Sequence, residues 1–269
     1  MSDPLILLDR DGDVATLTLN DPARLNAMSH AMGEAFAEQV AGLASDDRLR
    51  AVVLTGSGRA FCAGGDLEMI KDRAQQGATN PVLARRDIRD SMRSFYKLFL
   101  SVRDLPCPTV AAINGTAIGA GLCVALACDA RVASVRAKLG LNFTRIGLQP
   151  GMGATWTLPR LVGPARAAEI LYSSRIFSGE QAAQIGLVNQ AVEPDAVLST
   201  ARELATEFAA NAPMAIRATK RALARTFDSS LEDQLSFEAE EQAICFESAD
   251  VRRGLQAVAE KTAPEFEGN

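Results

Sequence analysis

Histidine is almost absent from the 269-residue sequence, in which His30 is the only one. A single histidine disfavours mechanisms that depend on a histidine base, and it argues strongly against metal sites built from several imidazoles. His30 itself falls where we expect the first turn of a helix, and we interpret it as a solvent-exposed residue. We therefore expect no resident metal ion.

Cysteine is sparse and unpaired in its spacing. The five cysteines are an odd number and include no C-x-x-C pair; they are Cys62, Cys107, Cys123, Cys128 and Cys245. This usage is typical of reduced thiols in the cytosol, so we expect a cytoplasmic protein.

Long hydrophobic runs are also missing. The apolar run at residues 4–8 is too short for a signal peptide, and the run of apolar residues and glycine at 117–128 is too short to cross a bilayer. The formal net charge is −5 and the basic residues are scattered. We therefore expect neither a membrane nor a nucleic acid as partner.

What the sequence does contain is a stretch rich in small residues, I-N-G-T-A-I-G-A-G-L-C-V-A-L-A-C-D-A, at residues 113–130. It begins as the end of a buried strand, turns at Asn114-Gly115, and becomes helical after Gly119-Ala120-Gly121. Glycine lets a ligand approach the main chain, and a helix start presents unpaired N–H groups and the positive end of its dipole. Taken alone, the stretch fits tight helix packing equally well.

A second stretch of the same character, Arg59–Leu67 (R-A-F-C-A-G-G-D-L), follows the strand predicted at residues 51–55. Two glycine-rich loops that lead from strand to helix can each supply one amide to the same oxygen atom. That is how an oxyanion hole is built.

A nucleotide-binding motif is an alternative at the same place, because Gly56-Ser57-Gly58 also follows a strand. The third glycine of a dinucleotide-binding loop would fall at Phe61, and no helix is predicted to begin there. The Gly-Lys-Ser/Thr of a Walker loop is absent as well. Both motifs are weak.

Along the chain, strand–strand–helix units recur, which predicts an α/β fold. An opening hairpin turns at Asp11-Gly12, and Ser29 is expected to cap a helix that runs to about Ala44. Residues 68–80 are polar and are predicted to be a mobile loop, followed by a long helix from Pro81 to about Val102. The pattern from residue 196 to residue 261 is helical, with a break at Pro213.

These motifs, over Leu5–Phe266, resemble the crotonase (enoyl-CoA hydratase/isomerase) superfamily. The segments that carry the resemblance are residues 24–27, 61–67, 114–121, 147–153 and 260–261. The resemblance implies an α/β spiral of β-β-α units, with an acyl-CoA-binding core at residues 1–195 and a helical oligomerisation region at 196–269. It implies a homotrimer or a dimer of trimers that acts on acyl-CoA thioesters, in fatty-acid or related metabolism, by stabilising a thioester enolate.

The resemblance also assigns roles to residues, with coenzyme A present only as part of the substrate and no other cofactor. The oxyanion amides fall on Gly65 and Ala120, and the acyl pocket lies near Ile118. The positions on the coenzyme A side are Arg24, Ala27, Ala63, Asp66 and Leu67. Lys261 matches a lysine that reaches coenzyme A from a neighbouring subunit, although an exposed terminal lysine is an equally good interpretation.

The sequence departs from the family where hydratases carry two glutamates. Alignment of the motifs puts Cys123 and Phe143 at those positions, and Gly151 where an isomerase subgroup has an aspartate. Hydration needs one group that deprotonates water and one that protonates the α-carbon. Phenylalanine transfers no proton, and an unassisted thiol has a pKa above neutrality.

Hydration is therefore disfavoured, and two alternatives stay open. One is another enolate-type reaction, such as isomerisation, decarboxylation or thioester cleavage. The other is a non-catalytic acyl-CoA-binding protein. A replacement base can come from Asp87, Asp90 or Tyr96, on a helix that borders the acyl pocket in relatives. On helical spacing alone, however, acids such as Asp87 and Asp90 are more often solvated surface residues.

Overall fold

Strands β1 (Ile6–Asp11) and β2 (Val14–Leu19) open the fold as an antiparallel hairpin in the computed structural model. The structure describes residues 3–79 and 81–269. Ser29 caps the first helix, α1 (His30–Ala44), by accepting a hydrogen bond from the Met32 amide. Both features were predicted from the sequence.

The remaining strands are β3 (Ala51–Gly56), β4 (Ala60–Cys62), β5 (Thr109–Ile113), β6 (Thr116–Ile118), β7 (Ala130–Ser134), β8 (Lys138–Gly140), β9 (Phe177–Ser178) and β10 (Gln190–Val192). The remaining helices are α2 (Leu67–Thr79), α3 (Pro81–Leu100), α4 (Ala120–Ala127), α5 (Ala154–Val162), α6 (Pro164–Ser173), α7 (Gly179–Gln184), α8 (Val197–Ala209), α9 (Pro213–Arg225), α10 (Leu231–Glu247) and α11 (Ala249–Glu260).

The chain forms two sheets at the same time, because it adds strands to each of them in turn. The larger has the strand order β1-β2-β3-β5-β7-β10, and the smaller has the order β4-β6-β8-β9. Each of the pairs β3/β4, β5/β6 and β7/β8 therefore adds one strand to each sheet before the chain enters a helix. Within each sheet these strands are parallel. The repeated strand–strand–helix unit of the α/β prediction is confirmed.

The core lies on both faces of the larger sheet. On one face α1 and α3 meet through aromatic rings, with the Phe36 and Phe99 centroids 5.8 Å apart. On the other face α8 packs against β2, β3, β5 and β7, and its Val197 and Ala201 are fully buried. The first helix after residue 196 thus covers the sheet, while the division of the chain at residue 195 stays a prediction.

The prediction of a mobile loop at residues 68–80 is wrong for the described part of that segment. Residues 67–79 form helix α2, and residue 80 lies outside the described residues. The Asp66 carboxylate accepts a hydrogen bond from the Glu68 amide at 2.9 Å, which caps the helix start. The helix then packs against α3, where Gly77 lies beside Ile88. Tertiary packing of one half-buried face thus stabilises a helix whose exposed residues are mostly polar.

Asn26 fastens the loop before α1 to the β3–β4 connection. Its side chain is fully buried and donates hydrogen bonds to the carbonyls of Ala60 at 2.8 Å and Ser57 at 3.0 Å. Its amide oxygen accepts a hydrogen bond from the Asp21 backbone N–H at 2.8 Å. The backbone of Asn26 is left-handed, with φ of 57°. This one amide therefore fixes the segment that carries Arg24 and Ala27.

We predict that Asn26→Ala lowers the free energy of unfolding by roughly 2–4 kcal/mol, because each buried polar group left unpaired costs about 1–3 kcal/mol. Urea denaturation followed by circular dichroism measures the change. Asn211→Ala, at an exposed asparagine that donates to the Glu207 carbonyl, is the control and should change stability by less than about 1 kcal/mol. Equal effects of the two substitutions would contradict the role given to Asn26.

Candidate functional site

The Gly65 amide points away from the strand-like segment that holds its loop. Met28 donates its N–H to the Gly64 carbonyl at 2.8 Å, and its own carbonyl accepts the Asp66 N–H at 3.2 Å. These two bonds form an isolated parallel bridge between Met28 and Gly65. Because peptide groups alternate in direction along extended backbone, the N–H of Gly65 faces the opposite side. Within residues 3–79 and 81–269 no backbone acceptor meets it.

The Ala120 amide is unpaired for a different reason, since it begins helix α4. The first bond of that helix runs from the Cys123 N–H to the Gly119 carbonyl at 3.1 Å. The amides of residues 120–122 therefore have no acceptor inside the helix. The Gly119 N–H instead continues the small sheet by donating to the Gly140 carbonyl at 2.8 Å.

The two loops touch at Gly64, whose φ of +103° is one that residues with side chains rarely adopt. A Cβ at this position would lie 2.8 Å from the Ile118 carbonyl oxygen and 3.8 Å from the Ala120 nitrogen. The missing side chain thus lets the two loops approach each other. Two unpaired amides on neighbouring loops can donate to one ligand oxygen.

The Cys123 side chain lies one helical turn after Ala120 and is buried. Its thiol donates a hydrogen bond to the Gly151 carbonyl, with sulfur and oxygen 3.7 Å apart. Burial raises the pKa of the Cys123 thiol far above its usual value, and the neighbouring Cys62 raises that pKa further. The group at this position is therefore a neutral thiol.

The Tyr96 hydroxyl reaches the same place from helix α3. A Cβ added to Gly151 would overlap the Tyr96 hydroxyl oxygen, so the glycine leaves the space that the phenol occupies. Burial raises the pKa of Tyr96, the nearby Cys123 adds to that effect, and Arg73 opposes it. Sequence spacing alone did not tell which side of α3 this tyrosine faces.

Phe143 is half-buried and packs against the core. Its ring lies 3.9 Å from the position of a Cβ at Gly119, where the second loop turns into α4. The side-chain oxygen of Asn142 lies 3.4 Å from the same position. An aromatic ring and an amide therefore border this loop, and neither transfers protons at neutral pH.

Asp87 and Asp90 are exposed, and Asp90 forms an ion pair with Arg89 at 2.8 Å. Asp87 lies nine residues before Tyr96, so the two side chains project from opposite sides of α3. Asp87 faces a polar cleft of about 550 Å³ between α2, α3 and the start of α1. Of the three alternative bases considered from the sequence, only Tyr96 lies beside Cys123.

The residues assigned to the coenzyme A side lie on the two segments that the bridge between Met28 and Gly65 joins. Arg24 is half-exposed and forms ion pairs with Asp21 at 2.7 Å and with Asp66 at 3.0 Å. Ala63 is fixed by its N–H, which donates to the Leu25 carbonyl at 3.0 Å. Ala27 is half-buried, Leu67 is exposed at the start of α2, and Ile118 ends β6 beside Gly64. The structure thus brings these residues together on one side of the fold.

Lys261 lies elsewhere, at the C-terminal end of α11, where it is exposed and has φ of 56°. Its ammonium group forms no ion pair within the described part of the chain.

Sequence reasoning missed two residues that shape the site. They are Met28, which holds the Gly65 loop through backbone bonds, and Met69, which lies 3.9 Å from a Cβ position at Gly65. No signal in the sequence analysis pointed to either residue, because Met28 lies in the loop before α1 and Met69 lies in a segment predicted to be a loop.

Among residues 3–79 and 81–269, no group of three or more His, Cys, Asp and Glu side chains is arranged to hold a metal ion. In the same residues, no helix combines the length and the apolar composition needed to cross a membrane.

Comparison with known proteins gives a consistent result. The sequence profile of the enoyl-CoA hydratase/isomerase family matches residues 9–269. The chain is 33% identical over 258 residues to a short-chain-enoyl-CoA hydratase of Clostridium acetobutylicum, covering 95% of each chain. It is 36% identical over 264 residues to a 1,2-epoxyphenylacetyl-CoA isomerase of Escherichia coli, covering 98% of each. The crystal structure of an enoyl-CoA hydratase from Bacillus anthracis aligns with a TM-score of 0.89 at 33% identity, covering 98% of this chain and 100% of that one.

The thiols give a test of the site's protonation state. Burial raises the pKa of Cys107 to about 11 and the pKa of Cys62 and Cys128 to about 12, and Cys123 is shifted in the same direction. We predict that iodoacetamide at about pH 8 labels the half-buried Cys245 first, because only thiolates react and the other four stay protonated. Mass spectrometry of peptides measures the order of labelling. Cys245→Ser should remove the fast phase, whereas rapid labelling of Cys123 would contradict a neutral thiol.

Proposed function

The chain belongs to the enoyl-CoA hydratase/isomerase family, and from that premise we propose that it binds acyl-CoA thioesters and stabilises a thioester enolate with the amides of Gly65 and Ala120. The observation that carries this proposal is the contact of the two loops at Gly64, beside two backbone N–H groups that lack backbone acceptors. In a site of this kind each donor contributes about 3 kcal/mol to stabilisation of the transition state.

The coenzyme A part of the ligand is proposed to lie along Arg24, Ala27, Ala63, Asp66 and Leu67. The Arg24 guanidinium is half-exposed while Asp21 and Asp66 hold its position. A planar, oriented guanidinium is well suited to bind a phosphate of coenzyme A through paired hydrogen bonds. The acyl group then extends past Ile118 toward the space bordered by Phe143, Cys123 and Tyr96.

Hydration is disfavoured in this proposal because neither Cys123 nor Phe143 carries a carboxylate. A buried neutral thiol does not deprotonate water at neutral pH, since burial raises its pKa. The oxyanion donors lower the energy of the enolate and leave proton transfer to another group. An isomerisation or a decarboxylation uses such an enolate without activating water between two carboxylates. In a thioester cleavage, the same two amides would instead stabilise the tetrahedral oxyanion that forms when a nucleophile adds to the carbonyl carbon.

The cellular setting follows from the same premise. We propose a role in fatty-acid or related acyl-CoA metabolism in the cytoplasm, where the five unpaired thiols stay reduced. Coenzyme A enters only as part of the substrate, and no further cofactor is proposed.

The experiment that tests the function separates binding from hydration. We predict that crotonyl-CoA binds, as measured by calorimetry, and that its hydration is very slow, as measured by loss of enoyl thioester absorbance. The double substitution Cys123→Glu with Phe143→Glu should raise hydration roughly a hundredfold, because general acid–base groups contribute about 10²–10⁴ in rate. Thermal unfolding must be followed in parallel, since two added carboxyl groups in a buried site lower stability.

Matched glycine variants provide the controls. Gly64→Ala places a Cβ against the Ile118 carbonyl at a positive φ, and it should weaken crotonyl-CoA binding by separating the loops. Gly42→Ala, on α1 with open space around it, should leave binding unchanged.

Tighter binding of NAD or ATP than of crotonyl-CoA would overturn the proposed function. Rapid hydration of crotonyl-CoA by the unmodified protein would contradict the proposal that hydration is disfavoured. Binding with no turnover of any acyl-CoA would instead favour a non-catalytic acyl-CoA-binding protein.

Assembly is the second part of the proposal. Helices α9, α10 and α11 and the turn between α9 and α10 expose large apolar side chains, namely Leu223, Phe227, Leu231, Leu235, Ile244, Phe246, Leu255 and Val258. Such a surface favours association with further copies, and we propose a homotrimer or a dimer of trimers in which Lys261 reaches coenzyme A bound to a neighbouring subunit.

We predict that multi-angle light scattering at micromolar concentration gives the mass of a trimer or of a hexamer. Leu255→Asp, which places a charge on α11 at a side chain 68% exposed, should shift the protein toward smaller species without loss of helical content. A monodisperse monomer would contradict both the assembly and the assignment of Lys261 to a neighbouring site.

A further inference from the structure

We propose that the phenol of Tyr96 is the acid–base group of this site, which exchanges a proton with the α-carbon of the bound acyl thioester. The inference rests on the proposed function and goes beyond it, since that function assigns the enolate to two amides and assigns the proton to no residue.

The first observation is the state of the hydroxyl. Tyr96 is half-buried on α3, and its hydroxyl forms no hydrogen bond to any group in residues 3–79 and 81–269. It is not among the fully enclosed polar atoms of those residues that lack a partner. A phenolic hydroxyl that is neither paired nor fully enclosed can donate to a ligand at no cost to the fold.

The second observation is the position of the hydroxyl relative to the unpaired amides. It lies against Gly151, whose carbonyl accepts the Cys123 thiol with sulfur and oxygen 3.7 Å apart. Cys123 lies three residues after Ala120 on α4, so the two share one face of that helix. The Tyr96 hydroxyl therefore lies on the side of α4 that carries Ala120 and Cys123.

The third observation is the lack of competing groups at this position. Phe143 has no exchangeable proton, the Cys123 thiol is occupied by the Gly151 carbonyl, and Asp87 projects from the opposite side of α3. Gly151 itself has no side chain, and that is the reason the phenol fits. Tyr96 is therefore the group best placed to move a proton here.

The chemical step balances without any further reactant. The Tyr96 phenolate removes a proton from the α-carbon, and the electrons of that C–H bond form the enolate, whose oxygen is held by the Gly65 and Ala120 amides. In the reverse direction the phenol returns its proton to the α-carbon, the enolate electrons form the new C–H bond, and the thioester carbonyl is restored. Exchange of the phenolic proton with water between the two steps replaces the α-hydrogen with one from solvent.

The pH dependence follows from the groups that face Tyr96. Within the described residues these are Cys123 from α4, which raises the pKa of Tyr96 in addition to burial, and Arg73 from α2, which lowers it. The net shift is upward from the ordinary value of about 10. The phenol is thus the main form at neutral pH, and α-proton removal should accelerate about tenfold per pH unit as the phenolate fraction increases.

The chain offers a matched control, because Tyr96 and Tyr172 are its only tyrosines and Tyr172 is 81% exposed on α6. We predict that the protein catalyses exchange of the α-protons of butyryl-CoA in deuterium oxide, as followed by proton NMR. Tyr96→Phe should slow this exchange about a hundredfold, whereas Tyr172→Phe should leave it unchanged. Calorimetry should show the same affinity for butyryl-CoA in all three proteins, which also verifies that each variant is folded.

A spectroscopic measurement tests the assignment independently of activity. In the Tyr172→Phe protein, tyrosinate absorbance reports Tyr96 alone, and its titration should lie above that of free tyrosine and shift when butyryl-CoA binds. Failure of butyryl-CoA to bind would overturn the proposed function. Binding with exchange fully retained in Tyr96→Phe, or with no exchange by the unmodified protein at any pH, would overturn only the assignment of Tyr96.

Discussion

The positions of the site's backbone amides depend on the close approach of two strand-to-helix loops. This approach is possible only because glycines leave no side chains between the loops. A Cβ at Gly121 would overlap the Cys62 carbonyl, and a Cβ at Gly64 would press on the Ile118 carbonyl. Cys62 ends β4 and Ile118 ends β6, so these contacts occur where two neighbouring parallel strands of the small sheet finish. The amides of Gly65 and Ala120 take their positions from this approach. Any residue larger than glycine at 64 or 121 would separate the loops, and the amides would no longer face one space.

The same constraint separates two requirements that catalysis usually combines. Binding an oxyanion needs only backbone N–H groups, and the Met28 bridge and the first turn of α4 leave those of Gly65 and Ala120 without backbone acceptors among the described residues. Moving a proton needs a side chain with a suitable pKa, and that side chain can change while the backbone stays the same. At Cys123 and Phe143 the sequence carries groups that do not move protons readily at neutral pH. The family membership of the chain therefore predicts its ligand more securely than its reaction.

Sequence reasoning reached most of the fold because each strand–strand–helix unit carries its own local pattern. It failed at residues 67–79, where polar composition suggested a loop and packing against α3 stabilises a helix. It named Gly65 and Ala120 from motifs, yet the direction of the Gly65 amide depends on bonds to Met28, which lies far away in sequence. It kept Asp87, Asp90 and Tyr96 open as alternatives, because the side of α3 that faces Gly151 is decided by tertiary contacts. Local propensity is encoded in short segments, whereas the orientation of a donor or a phenol depends on residues distant in the chain.

The neutral groups at Cys123 and Phe143 also determine the electrostatics of the proposed site. Two buried carboxylates would need partners or water to offset the loss of solvation, and water bound there is the nucleophile of hydration. A thiol that donates to the Gly151 carbonyl and a phenyl ring beside Gly119 carry no charge, and apolar surroundings screen nearby dipoles less than water does. Hydrogen bonds from fixed amides to a developing oxyanion are stronger in that environment. In the proposed function, the neutral groups at Cys123 and Phe143 therefore disfavour hydration and at the same time favour stabilisation of an enolate, which suits the site to proton exchange at carbon rather than to the addition of water.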